Sequence, residues 1–188
     1  NLEALVGKFD APERDEWQKP EEVIKALNLP KDAVVVEIGS STGYFAVRLA
    51  GHLENGKLIG FEPSPKMATY LRERVDKLGL RNVDARTTES DGSIFLEELA
   101  DLVFTVDVYH HLKDRVEYFK KMATHLKPNG VVAVIDRSEE KVEGQPAGHR
   151  VPKEQIIDEM KAAGFEISKD FDFLLPVQHF MLFSHISS

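Results

Sequence analysis

The sequence predicts a three-layer α/β fold built on a mostly parallel sheet. Two observations predict it. The stretch VVVEIGSSTGYFAVRLA, Val34 to Ala50, reads as a buried strand, a tight turn carrying Gly39 and Gly43, and a helix starting near Tyr44. Beyond it, strand-like and helix-like segments alternate, and the chain closes on two strand-like runs with no helix between them. With 188 residues and 42% hydrophobic content the chain is long enough for one well-cored domain and short for two, so a single domain over 1–188 is expected.

The elements follow in order. Residues 1–30 form an N-terminal cap segment and a helix. The first twenty residues are weakly periodic; PEEVIKALNLP then places Pro20 at a first helical position, Glu21 and Glu22 at the helix N-terminus, and Asn28 and Pro30 at its end. Residues 31–136 form the core. After the glycine turn and its helix, a second strand from about Lys57 to Phe61 ends in Glu62. Ser64 and Pro65 then cap a helix with Met67, Leu71 and Leu78 at helical spacing, closed by Gly79. A third strand lies near Val83 to Thr87 and a fourth from Leu102 to Val106. The next helix has Asp114 as N-cap and Val116, Phe119, Ala123 and Leu126 as its buried stripe; LKPNG turns into a fifth strand, VVAVID. Residues 137–188 supply a charged loop to Val151, a helix with Pro152 near its start and Gly164 past its end, and two strands, Glu166 to Leu174 and Phe180 to His185, broken at Pro176.

Composition excludes several function classes. The formal net charge is −8 and the pI about 5.4, so a nucleic acid would meet a repulsive average surface and is not expected as a partner. There are no cysteines, hence no disulfides, thiolate metal sites or cysteine nucleophiles. No apolar run approaches the roughly 18 residues of a membrane span, so no membrane association is expected. A cytoplasmic location is the expectation, with the start at Asn1 leaving room for a removed upstream targeting segment.

The turn carries the first chemistry. Glycines between a strand and a helix let the backbone take otherwise strained angles and let a ligand approach the main chain and the helix N–H groups. Gly39 and Gly43 flank Ser40, Ser41 and Thr42 without the middle glycine that the dinucleotide pattern G-x-G-x-x-G requires. Glu37, two residues before the first glycine, would repel a pyrophosphate but suits an ammonium or sulfonium. Both features favour S-adenosylmethionine over a nicotinamide dinucleotide. Glu62 lies about 20 residues past the turn, where an acidic side chain accepts both ribose hydroxyls.

E-I-G-S-S-T-G resembles the first motif of class I S-adenosylmethionine-dependent methyltransferases, D/E-x-G-x-G-x-G, with Ser41 in place of the middle glycine. LIGFEPSPKM, ADLVFTVDVYHHL and LKPNGVVAVID follow in that family's order and spacing, so the resemblance covers Val34 to Asp136. It implies a Rossmann-like, seven-stranded sheet in the order 3-2-1-4-5-7-6, with the last strand antiparallel. It also implies in-line methyl transfer from S-adenosyl-L-methionine to a small-molecule acceptor, as in the ubiquinone and menaquinone methylase-like group. The cofactor set it implies is Glu37, Gly39, Ser40, Ser41, Thr42, Gly43, Glu62, Pro63, Asp91 and Asp107. For the adenine amino group Glu89 is the other candidate; Asp91 is favoured because an Asp-Gly turn followed by Ile94 and Phe95 puts a carboxylate and apolar groups around the base.

The resemblance further places Asp107, Val108, Tyr109, His110 and His111 around the transferred methyl group, at a strand's carboxyl end. His is the side chain whose pKa lies closest to neutral, so His110 or His111 is a candidate catalytic base. In this family the segment before the first strand folds over the cofactor and helps build the acceptor pocket, a role open here to Phe9, Arg14, Trp17 and Gln18. Trp17 with His149 and Arg150, from the loop after the fifth strand, make up the expected acceptor pocket. Asp107 and Asp136 occupy two positions at which catechol-type O-methyltransferases hold magnesium, but the neighbouring Asn is Arg137 here, so no metal is expected. The absence of cysteine excludes the chemistry of arsenite methyltransferases. The alternatives are a non-catalytic S-adenosylmethionine-binding or interaction protein and a nucleotide-dependent oxidoreductase.

Overall fold

The computed structural model describes residues 2–89, 92–143 and 148–186. Its seven strands make one sheet in the order β3-β2-β1-β4-β5-β7-β6, the expected order. The chain forms two compact units, residues 1–97 and 98–188.

In the first unit the N-terminal segment forms two short helices, α1 (Leu2–Phe9) and α2 (Arg14–Gln18). Helix α3 (Pro20–Leu27) begins on Pro20 and ends where Asn28 turns left-handed (φ 47°), its N–H donating to the Lys25 carbonyl; Val23, Ile24 and Leu27 are buried. Strand β1 (Val34–Ile38) is buried at all five positions. The helix expected from Tyr44 starts later and is short, α4 (Ala46–Ala50), because Gly43 N–H still closes the turn on the Ser40 carbonyl at 2.7 Å. Strand β2 (Lys57–Glu62) runs parallel to β1, with Val36 opposite Ile59. Its Gly60 leaves room for Ser40: a Cβ there would lie 2.4 Å from Ser40 Oγ.

Helix α5 (Pro65–Lys77) is capped as expected, Ser64 Oγ accepting from Met67 N–H at 3.4 Å. Met67 and Leu71 are buried, but Leu78 lies beyond the last helical residue and is 57% exposed, so it is not part of the buried stripe. Strand β3 (Val83–Thr87) pairs parallel with β2.

The second unit opens with β4 (Ala100–Val106), whose end feeds a single 3-10 turn, Tyr109–His111. Helix α6 (Arg115–Ala123) follows. Asp114 stands at its N-cap position in the left-handed conformation (φ 46°), and its side chain caps no helix N–H, contrary to expectation. The helix buries Phe119 and Met122, whereas Val116 and Ala123 are half-buried. Strand β5 (Leu126–Arg137) begins five residues earlier than its apolar run, since Leu126 already pairs with Ala100 before the register shifts towards Leu102. Helix α7 (Lys153–Ala162) leads to β6 (Phe165–Phe171) and β7 (Gln178–His185). Strand β7 is antiparallel to both β5 and β6, with Ala133 opposite Leu182.

Candidate cofactor and acceptor sites

The turn after β1 alternates left-handed residues: Gly39 (φ 76°), Ser41 (φ 49°) and Gly43 (φ 85°). Ser41, in the place of the family's middle glycine, thus takes the conformation a glycine takes freely, at a cost of about 1–2 kcal/mol for an L-residue. The backbone is hooked to β2, since the N–H groups of Gly39 and Ser40 both donate to the Phe61 carbonyl, at 2.8 and 3.1 Å. Gly43 has a second constraint, because a Cβ there would lie 2.3 Å from Leu71 Cδ1.

Two carboxylates flank this turn, and their environments differ. Glu62, at the end of β2, accepts from Ser41 N–H through Oε2 and from Ser64 N–H through Oε1, each at 3.0 Å. Its position is fixed while lone pairs remain for a ligand's hydroxyls. Burial raises its pKa, and the two backbone hydrogen bonds oppose that rise. Glu37 is more extreme. It is 4% exposed, and its Oε2 has no hydrogen-bond partner. Burial pushes its carboxyl up to about 8, against opposing effects of Ser40 and the Arg14 charge, with Glu62 adding to the rise. A buried carboxyl left unpartnered is costly unless a donor or cation arrives to meet it.

The N-terminal segment is fastened to this turn. Thr42 Oγ1 donates to Asp10 Oδ1 at 2.8 Å, and Arg74 from α5 donates to Asp10 Oδ2 at 2.6 Å and to the Thr42 carbonyl at 2.9 Å. Asp15 accepts from the Tyr44 hydroxyl and from Arg48, and the Arg14 guanidinium lies 3.8 Å from the Tyr44 ring centroid while donating to the Phe9 carbonyl and Gln18. The hydroxyl of Thr42 is therefore engaged within the protein, and that of Ser40 donates to the Glu37 carbonyl at 3.2 Å. Pro63 is exposed, Trp17 and Phe9 are half-buried, and Gln18 is fully buried. Asp91 lies outside the described residues. Glu89 is exposed at a turn closed by Gly92 N–H on its carbonyl; Ile94 is buried but Phe95 is 70% exposed.

In the second unit polar groups gather at the carboxyl ends of β4 and β5. Asp107 is left-handed (φ 55°) and accepts from Gln178 Nε2 at 2.9 Å. Asp136, ending the apolar run of β5, accepts three times: from His110 N–H at 2.8 Å, from Arg137 N–H at 2.8 Å and from His110 Nδ1 at 2.6 Å. Both side chains are closed off, 1% and 2% exposed, and His110 Nε2 has no partner. A carboxylate on Nδ1 fixes the proton there. Ring centroids of His110 and His111 are 4.0 Å apart, and His111 is exposed. Desolvation, then the neighbouring His110 and Arg137, hold the His111 pKa below the ordinary imidazole value. His149 is exposed and Arg150 is half-buried, donating to the Gly148 carbonyl.

Asp136 is thus committed to His110 and the backbone, and among the described residues no group of three or more His, Asp or Glu side chains is arranged to hold a metal ion. Three residues escaped sequence reading in these roles: Asp10 and Arg74, which brace the turn, and Gln178, which holds Asp107. None belongs to a motif, and each acts across a long sequence separation.

A family model described as a methyltransferase domain matches residues 36–132, from within β1 into β5. The chain belongs to this methyltransferase-domain family. It is 30% identical over 139 residues to a tRNA U34 carboxymethyltransferase from Aliarcobacter butzleri, covering 70% of this chain and 45% of that one. It is 29% identical over 117 residues to a ubiquinone biosynthesis O-methyltransferase from Bradyrhizobium diazoefficiens, covering 62% and 45%. The chain spans about half or less of the length of such relatives. Among solved structures, a SAM-dependent methyltransferase from Aquifex aeolicus has the same fold, with a TM-score of 0.83 at 23% identity over 100% of this chain and 99% of that one. Among the described residues no helix is long and apolar enough to cross a membrane.

Proposed function

We propose that this chain is an S-adenosylmethionine-dependent methyltransferase acting on a small molecule, as a single domain over 1–188. One observation carries the cofactor assignment: the buried, unpartnered Oε2 of Glu37 beside a turn of three left-handed residues. That carboxyl suits the cationic methionine end of the cofactor, and the oriented carboxylate of Glu62 suits two ribose hydroxyls. Gly39, Ser40 and Ser41 supply the close backbone approach, and Pro63 belongs to the same set; Asp107, in the second unit, is a cofactor residue on the family resemblance alone.

When bound, the cofactor supplies an electrophilic methyl group on a sulfonium, so the protein's work is alignment and the handling of the acceptor's proton. Of the two histidines, His111 takes that role. It is exposed, and its lowered pKa keeps it neutral at neutral pH, whereas His110 is enclosed and bonded to Asp136. His110 and Asp136 position the 3-10 turn on which His111 stands. Trp17, His149 and Arg150 remain candidates for acceptor contacts. The small-molecule assignment is supported by the net charge of −8, which opposes a polyanion, and by relatives named for ubiquinone and menaquinone synthesis; the tRNA-directed relatives carry the other acceptor class.

The test pairs calorimetry with a pH profile. S-adenosylmethionine should bind and NAD should not. With an acceptor protonated at the assay pH, turnover should fall on acidification with a midpoint below the usual imidazole value of about 6.5. His111→Gln should lower turnover by roughly a hundredfold to ten-thousandfold and abolish that limb while leaving cofactor affinity unchanged. A variant with normal turnover and the same acid limb removes His111 from the chemistry.

A further inference from the structure

The second unit contains a half-buried arginine whose guanidinium makes no hydrogen bond to the described residues. Seven arginines are half-buried: Arg14, Arg48, Arg74, Arg86, Arg115, Arg137 and Arg150. Six of them donate guanidinium hydrogen bonds to a carboxylate, an amide oxygen or a backbone carbonyl. Arg137 is the exception: among the described residues no acceptor lies within hydrogen-bond reach of its guanidinium. Among the described residues it pairs ionically with Asp107, 3.8 Å from Nε and beyond hydrogen-bond reach, and the same Asp107 oxygen accepts a 2.9 Å hydrogen bond from Gln178. Yet the side chain is only 21% exposed and its fork is seated against the chain, since a Cβ on Gly148 would lie 2.5 Å from Nη1. A half-buried fork that makes no hydrogen bond to the described residues can receive a planar oxyanion from outside the protein.

Location specifies what that oxyanion belongs to. Arg137 is the last residue of β5, its N–H bonded to the same Asp136 that holds His110. It stands at a carboxyl end of a parallel strand pair, where α/β sheets bind ligands, and its charge is felt at His111. Resting on the methyl-transfer reading above, we propose that Arg137 anchors an anionic group of the acceptor, so that the acceptor is a small hydroxyl compound carrying a carboxylate or a phosphate. The anion on Arg137 and the hydroxyl at His111 would together set which oxygen is methylated.

The test separates anchoring from methyl transfer. Benzoate, phenyl phosphate and benzamide are titrated by calorimetry against the full chain loaded with S-adenosylhomocysteine. At least one anion should bind roughly tenfold to a hundredfold more tightly than the neutral amide; which one does so distinguishes carboxylate from phosphate. Arg137→Gln should abolish that preference, and Arg137→Lys should retain part of it as a point charge. In the Gln variant the His111 ring, followed by NMR, should titrate at higher pH than in the wild type, a change that lost packing alone would not produce. Equal affinity for all three probes, no binding of any, or an anion preference that survives in the Gln variant overturns the proposal. Where Arg137→Gln fails to fold, undiminished anion binding by the Lys variant overturns it too. S-adenosylhomocysteine binding is measured first: its failure counts against the cofactor reading, and the probes are then compared on the unloaded chain.

Discussion

Glu37→Gln should make the protein more stable at alkaline pH and a poorer binder of S-adenosylmethionine. The carboxyl has an ordinary value of 4.5 and is pushed up to about 8 by burial beside the glycine turn. Since the folded-state pKa exceeds the unfolded one, its contribution to stability is fully present below 4.5 and is lost as pH rises through about 8. Linkage between these two values gives a loss of roughly 3 to 4 kcal/mol from pH 5 to pH 8. For a chain of 188 residues that is a fall in midpoint on the order of 7–14 °C. Gln has the same shape without the titration, so the loss should vanish in the variant. Water entering the site would shrink the effect but keep its sign.

The assay is thermal unfolding of wild type and variant at pH 5 and pH 8, without ligand, taking the difference of differences so that every other titrating group cancels. The ligand should reverse the ranking. A cation selects the ionised carboxyl, so wild-type affinity should rise up to about tenfold per pH unit below pH 8 as deprotonation becomes easier, and Glu37→Gln should lose both the affinity and that slope. If the stability gap between the two proteins changes by less than about 1 kcal/mol across this range, Glu37 is not the buried carboxyl of raised pKa that the cofactor assignment requires.

Two further substitutions probe the same turn. On the proposed cofactor reading Glu62→Ala would remove two charge-assisted hydrogen bonds to the ribose, each worth about 1.5–3 kcal/mol, and should weaken cofactor binding about a hundredfold or more in calorimetry; unchanged affinity would take Glu62 out of the site. Ser41→Gly relieves a left-handed serine (φ 49°) and keeps the N–H that holds Glu62, so the folded protein should gain about 1 kcal/mol in denaturant unfolding with binding retained. A loss of more than about 1 kcal/mol would show that the serine side chain, not the backbone angle, is what the turn needs.

The sheet was legible because its information is local. Buried strands such as Val34–Ile38 are apolar runs, broken there only by Glu37, and the punctuation that separates them, Ser64-Pro65 or Gly79, acts within a turn. Legibility failed where burial was absent or pairing was distant. Helix α1 does space Leu2, Leu5, Val6 and Phe9 helically but buries none of them, so its apolar residues point to no core. The start of β5 is hidden because LKPNG has the composition of a turn, and only the pairing of Leu126 with Ala100 makes it strand. Asp114 reached the cap position expected of it, but its left-handed backbone takes the side chain away from the helix N–H groups; composition cannot report a backbone angle set by the preceding turn.

The site divides along the same line. The positions of Glu37, the glycines and Glu62 are readable because a strand end fixes both place and direction. His110, His111 and Asp136 are each readable as strand-end residues, but which carboxylate meets which imidazole is decided by rotamers and by the 3-10 turn. Adjacent histidines on such a turn point about 120° apart, so one of them had to turn inward. The structure sends His110 in, where Asp136 receives both its ring and its backbone N–H, and leaves His111 out. Asp136 is thereby an anchor for the turn, and the guanidinium of Arg137, the next residue, makes no hydrogen bond to the described residues and pairs ionically with Asp107.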